Sequence, residues 1–246
     1  MTDLSRRKVL ALTGAVVALP ACETTNIGQI ADILGQTGAG FGLTQAEAAQ
    51  GIRAALNNGV GNAVSTVGVV DGFLKNSLIR IALPQNFQNI AKTASRFGMG
   101  GLFTELETQL NRGAEIAAPV ARDVFVEAVS GLSIADAINI VRGPDTAATD
   151  FLKNTTGTKL TSLFSPIMEN ALGQTGALRI ADQLQSSLSA LPIQTPLSSA
   201  RSDLIAHGVS KGLDGMFYYI GEEEKAIRAN PAKRTSEILR RVFGSV

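Results

Sequence analysis

The sequence predicts an all-α protein, a single compact, irregular bundle of about eight or nine helices behind an N-terminal signal and tether. Three observations carry that prediction. Apolar residues recur at spacings of three and four through most of the chain, the period of one helix face. No stretch alternates apolar and polar residues between turn signals, as a half-buried strand would. Apolar residues make up 45% of the 246, but only 5% are aromatic and none is tryptophan, so the core must be mostly aliphatic.

Residues 1–21 read as an export signal rather than structure. Ser5-Arg6-Arg7-Lys8-Val9-Leu10 is similar to the twin-arginine export motif, with Arg6 and Arg7 as its defining pair. The apolar run Val9–Leu19 is shorter than the ~18 residues a membrane span needs. It ends in Leu19-Pro20-Ala21-Cys22, which resembles a lipobox, where a bacterial signal is cleaved before a lipid-accepting cysteine. Cys22 is the only cysteine, so no intramolecular disulfide supports the fold. The competing reading is an ordinary cleaved signal with an incidental cysteine. Residues 22–42 then hold the lipid-attachment cysteine and a flexible, glycine-rich tether. Ile27, Ile30, Ile33 and Leu34 could make a short amphipathic helix there, though an irregular linker is the simpler expectation.

Residues 43–246 are the expected helical domain. Thr44-Gln-Ala-Glu47 is a capping box opening a helix with Ile52, Leu56, Val60, Ala63 and Val67 on one face. Residues 68–84 lack helical period and read as a connection. Phe87, Ile90, Ala94 and Phe97 resume the pattern, and Gly98 suits a left-handed C-terminal position. Leu102, Leu106, Leu110, Ala117, Val120 and Val124 mark a long run that Pro119 is expected to kink or split. Ser133 to Arg142 forms a short helix closed by Gly143-Pro144, and Asp145 is expected to cap the next, through Phe151 and Leu152. Leu160, Leu163, Phe164 and Ile167 mark another helix, which Pro166 should disturb. Leu178, Ala181, Leu184 and Leu188 mark one more, before a loop at Pro192–Ser199.

The helix from near Ala200 to Ala229 reads as central. Val209, Leu213, Met216, Ile220 and Ile227 form its apolar stripe. Gly208, Gly212 and Gly215 lie along an adjacent face, and interior glycines at about 1 kcal/mol each need a packing reason. Close approach of a second helix is the expected one. Asn230-Pro231 then fits an N-cap with proline in the first turn of a last helix, whose apolar face is Ile238, Leu239, Val242 and Phe243.

Composition excludes several chemistries. His207 is the only histidine, so a histidine cluster on zinc is impossible, and its surroundings read as plain helix. No phosphate loop or dinucleotide fingerprint occurs, and no cofactor is implied. Signal cleavage removes Arg6, Arg7, Lys8 and Asp3 and moves the formal net charge from +1 to −1, which disfavours nucleic acid as a partner.

Two polar constellations remain. Glu224 lies on the apolar stripe, so its carboxylate must be paired, hydrogen-bonded or protonated, and Arg228 follows four residues on. A structural ion pair is one reading. The other makes Glu222, Glu223 and Glu224 a carboxylate cluster for metal or acid–base chemistry, with Asp214 nearby on the same helix. Asn111-Arg112-x-x-Glu115 is the second constellation, and a solvated face opposite the leucine stripe accounts for it.

Gly143-Pro-Asp-Thr-Ala-Ala-Thr149, Leu213-Asp-Gly-Met-Phe217, Glu222-Glu-Glu-Lys-Ala-Ile-Arg228, Pro231, Arg234-Thr235 and Val242-Phe-Gly244 resemble a family of exported bacterial proteins catalogued as domain of unknown function 4197. The Asn111-Arg112-x-x-Glu115 segment also fits it. The resemblance implies a single helical envelope domain, often carried on a lipoprotein signal. It implies no substrate and no catalytic residue. The expected protein is a lipid-anchored, periplasm-facing binding module without catalysis, held to the membrane through Cys22. Its expected partner is an envelope protein or a small apolar ligand. Glu23 after the cysteine favours the outer over the inner membrane. The alternative is a hydrolase or metal-dependent enzyme using Glu222–Glu224 with Asn111, Arg112 and Glu115.

Overall fold

In the computed structural model, residues 44–189, 199–234 and 236–244 are described. The expected signal and tether, Cys22 and nearly all of the Pro192–Ser199 loop lie outside them, as does the side chain of Phe243. The described chain is all-α. Its eight α-helices are α1 (Gln45–Val67), α2 (Gln85–Ala94), α3 (Gly100–Ser130), α4 (Ile134–Val141), α5 (Ala147–Thr175), α6 (Ala177–Ser189), α7 (Ala200–Ala229) and α8 (Glu237–Gly244). Short 3-10 turns at Ser95–Phe97 and Pro231–Lys233 complete it.

α1 starts at its capping box: Thr44 Oγ1 accepts from Glu47 N at 3.2 Å, and Glu47 Oε2 accepts from Thr44 N at 2.9 Å. Glu47 also meets Arg241 at 2.6 Å, tying α8 to the start of the domain. The largest helix contacts are α3 on α5, α1 on α7 and α5 on α7. A Cβ at Gly59 would stand 3.2 Å from the main-chain oxygen of Ile220, so glycine lets α1 and α7 approach backbone to backbone.

α7 is buried on several faces, as a central helix must be. Its glycine line serves a different packing from the one expected. Gly208 and Gly212 receive Met168 and Phe164 of α5, and Gly215 receives the Phe73 ring from the α1–α2 connection. Side chains, not a second helix backbone, fill the space.

Neither proline breaks its helix. α3 runs through Pro119 and α5 through Pro166. Each is flanked by fully buried residues, Ala117, Ala118 and Ala121 around the first and Phe164 and Met168 around the second. Their packing outweighs a lost hydrogen bond and a clash together worth ~3 kcal/mol. Past Leu110 the buried face of α3 continues through Ala114, Ala117, Ala121 and Phe125, leaving the expected Val120 59% exposed. Residues 117–121 are apolar on every face, so spacing alone could not fix the stripe. Phe97 and Leu163, also expected inside, are exposed. Gly98 has the expected left-handed φ of 79°. Asp145 does not cap α5. Its N-cap is Thr146, whose hydroxyl donates to the Asp150 carboxylate at 2.8 Å and caps no backbone amide of the helix. The last helix also begins later than expected: Asn230 Oδ1 accepts from Ala232 N at 2.9 Å and opens only the 3-10 turn, and α8 follows from Glu237.

Candidate functional site

The partner that α5 lacks locally comes from α7. Glu224 is 1% exposed, and its Oε1 accepts from Ala148 N at 3.0 Å. Oε2 accepts from Thr149 N at 2.8 Å and from the Thr149 hydroxyl at 2.7 Å. Those amides are orphans of the first helical turn, and a carboxylate there also meets the positive end of the helix dipole. Arg228 donates from Nε and Nη2 to Oε1 at 3.0 and 2.8 Å. The same guanidinium donates to the carbonyls of Val141 and Ile140 at 3.1 and 2.9 Å, the last turn of α4. One ion pair on α7 therefore closes the end of α4 and the start of α5 together. The turn between them is tight: a Cβ at Gly143 would lie 2.6 Å from that of Ala147. Arg234 extends the pattern, donating to the carbonyls of Ile227 and Arg228 at the end of α7.

Asn111 and Glu115 are not on a solvated face; they are 0% and 5% exposed. The α1–α2 connection lies over that face of α3 and consumes their polar atoms. Glu115 Oε1 accepts from Phe73 N and Leu74 N, both at 3.0 Å. Asn111 Oδ1 accepts from Ile81 N at 2.9 Å, while its Nδ2 donates to the carbonyls of Ile81 and Glu107 at 2.8 Å. Arg112 bridges Glu115 and Asp71, each at 2.7 Å, and these two partners hold its proton more tightly than usual. Asp71, at φ 70°, is the one described non-glycine residue in the left-handed region.

The remaining acidic candidates diverge. Glu222 pairs with Lys225 at 2.7 Å, and Glu223 stands 3.6 Å from Lys233. Asp214 meets Lys153 at 3.1 Å and Lys211 at 3.2 Å. Burial pushes the Asp214 carboxyl up, but the bonds from Lys153 and Lys211 more than reverse this and leave it below its usual value. Asp214 and Glu222 line one surface cleft of about 450 Å³ with Asp150, Lys153, Tyr218 and Lys225. A second groove of about 560 Å³ shares Lys153, Asp214 and Phe217 with it. Asn111, Arg112, Glu115 and Glu224 line neither. Among the described residues, no three His, Cys, Asp or Glu side chains are grouped as metal ligands. His207 Nε2 lies 2.8 Å from the Ala82 carbonyl, holding the end of the α1–α2 connection.

Sequence reasoning missed Thr149, Asp71 and Arg234 as working members of these clusters. The first two bond across 75 and 41 residues, a separation that leaves no local signal. Arg234 stands within the C-terminal motif, where its charge near a helix end was the available clue.

A family model described as Protein of unknown function (DUF4197) matches residues 42–244. The chain belongs to that family. No curated protein and no solved structure matches it. In this member the Gly143–Thr149 and Glu222–Arg228 motifs meet at one point, the junction of α4, α5 and α7. The Asn111–Glu115 motif meets the α1–α2 connection at another.

Proposed function

We propose that the protein is a lipid-anchored envelope lipoprotein whose helical domain is a non-catalytic interaction module at the periplasmic face. The export and lipobox motifs of residues 1–22 support the location, and Glu23 after Cys22 favours the outer membrane. One observation supports the lack of catalysis. The buried polar groups Asn111, Glu115 and Glu224 spend their bonds on main-chain amides, carbonyls and a neighbouring arginine. Carboxylates held this way sit in an architectural role and have no opening toward a substrate. The enzyme alternative needs Glu222–Glu224 to converge with Asn111, Arg112 and Glu115, whereas the three glutamates turn to three different partners. The partner expected is an envelope protein or a small apolar ligand.

The location is tested at Cys22. Cys22→Ser should abolish incorporation of labelled fatty acid and leave the protein unprocessed or without its lipid. A parent protein that takes up no labelled fatty acid, or a variant that takes up as much as the parent, would remove the lipid anchor from this reading. Replacing Arg6 and Arg7 with Lys should block export by the twin-arginine route, and normal export of that variant would assign the general pathway instead.

A further inference from the structure

The turn between α1 and α2 combines two features that need a common reason. Its main chain is fixed from below by buried side chains, Glu115 on Phe73 N and Leu74 N and Asn111 on Ile81 N and O. Buried polar groups committed to loop backbone are costly to place, and they hold one conformation. In that conformation Phe73, Ile79 and Ile81 enter the core, while Val69, Val70 and Leu78 point outward at 53%, 78% and 65% exposure. Pro119 of α3 lies against Gly68 and seats the start of this turn, and Val69, Val70 and Leu78 line one surface together. Lys75 and Arg80 stand at the edge, each paired with a carboxylate, Asp71 and Glu107. An apolar tip held rigidly, rimmed by long cationic side chains and carrying no unbalanced charge, suits a lipid headgroup boundary.

We propose that residues 68–78 form a membrane-contacting tip that inserts Val69, Val70 and Leu78 into the bilayer carrying the Cys22 lipid. This rests on the lipoprotein reading above. The chain outside the described domain argues for this occupant. The 21 residues from 23 to 43 reach up to about 70 Å at ~3.3 Å each. The tip begins at the end of α1 opposite Thr44, and the 23 residues of α1 span about 34 Å. The tether is therefore long enough for the tip to face the membrane that holds its own anchor, and tethering raises the effective concentration of that surface. Because each rim charge is paired, contact depends on apolar insertion and not on anionic lipid.

Two measurements test the tip apart from the anchor. The mature chain from residue 22 with Cys22→Ser, which carries no lipid, should float with phosphatidylethanolamine–phosphatidylglycerol vesicles at low and high salt alike. Adding Val69→Asp and Val70→Asp should lower partitioning at least ten-fold with the melting temperature unchanged, and Phe97→Asp should not. In the lipidated protein Cys22 is blocked, so Val70→Cys provides a single thiol for an environment-sensitive dye. Its emission should shift to the blue and be quenched by brominated acyl chains, whereas a dye at Thr161→Cys should show neither. Absent or tip-independent vesicle binding, or an unquenched dye at position 70, overturns the inference. Loss of self-association in the aspartate variant, without vesicles, overturns it in favour of a second copy. Failure of the anchor alone would read differently: no fatty acid on Cys22, but tip-dependent flotation of the unlipidated chain.

Discussion

Glu224 Oε2 accepts both the backbone N–H of Thr149, at 2.8 Å, and its hydroxyl, at 2.7 Å. Every bond that this carboxylate makes at the junction comes from a donor, so an amide in its place puts one NH₂ against hydrogens. Glu224→Gln should lower unfolding free energy by about 1–3 kcal/mol, the range for a buried partner left poorly satisfied. Glu222→Gln, whose carboxylate is half-exposed beside Lys225, should change it by less than about 1 kcal/mol. Thermal or urea unfolding of both separates them. Crowded catalytic carboxylates would behave in the opposite way, and a stabilised Glu224→Gln protein would overturn the architectural role.

Asn111 gives a second, sharper contrast, because it uses both ends of its amide. Asn111→Asp keeps an acceptor for Ile81 N but sets an oxygen against the carbonyls of Ile81 and Glu107. The expected cost is about 3 kcal/mol, since a buried charge then faces two acceptors in place of two donations. Hydrogen exchange should localise the loss: the Ile81 amide should exchange faster than those of α5. Uniform loosening, or no loss of stability, would contradict the fixed turn.

How far the sequence reveals this arrangement depends on where each partner lies. Glu224 could be placed inside because Ile220 and Ile227 flank it on one helical stripe, with Arg228 within reach four residues on. Its other partners, Ala148 and Thr149, stand 76 and 75 residues away, and helical period contains nothing about them. Asn111 and Glu115 were misread for the same reason. The face opposite the leucines is covered by an aperiodic connection, and aperiodic chain gives no sign of what it covers. Pro119 and Pro166 show local preference yielding to packing, an outcome that only the neighbouring helices decide.

The glycines of α7 separate by what stands in front of them. A Cβ at Gly215 would lie 2.7 Å from Cε1 of the fully buried Phe73 and 3.3 Å from Cβ of Ile79. One at Gly221 would meet Thr146 and Thr149 methyls at 3.5 and 3.7 Å, ordinary contact distances. Gly221→Ala should therefore raise stability by up to about 1 kcal/mol through helix propensity. Gly215→Ala should lower it by about 1–3 kcal/mol through overpacking. Urea midpoints of the two single variants settle the order, and a stabilised Gly215→Ala would show that Phe73 yields freely.

Asp71 ties acidity to the turn. Hydrogen bonds from Lys75, then from Arg112, hold its carboxyl below the ordinary 3.8. A depressed carboxyl stabilises the fold fully above its unfolded value and loses that contribution as pH falls through its folded value. Acidification below about 3.8 should therefore release Lys75 and Arg112 and loosen the turn, while near neutrality its stability stays flat. Carboxyl NMR titration should place the Asp71 midpoint below 3.8. Asp71→Asn offers the control, since asparagine tolerates the same left-handed backbone and cannot titrate. In that variant, amide exchange at Phe73 should lose the part of its acid dependence that Asp71 supplies. A midpoint at or above 3.8, or an unchanged acid response in the variant, would release Asp71 from this role.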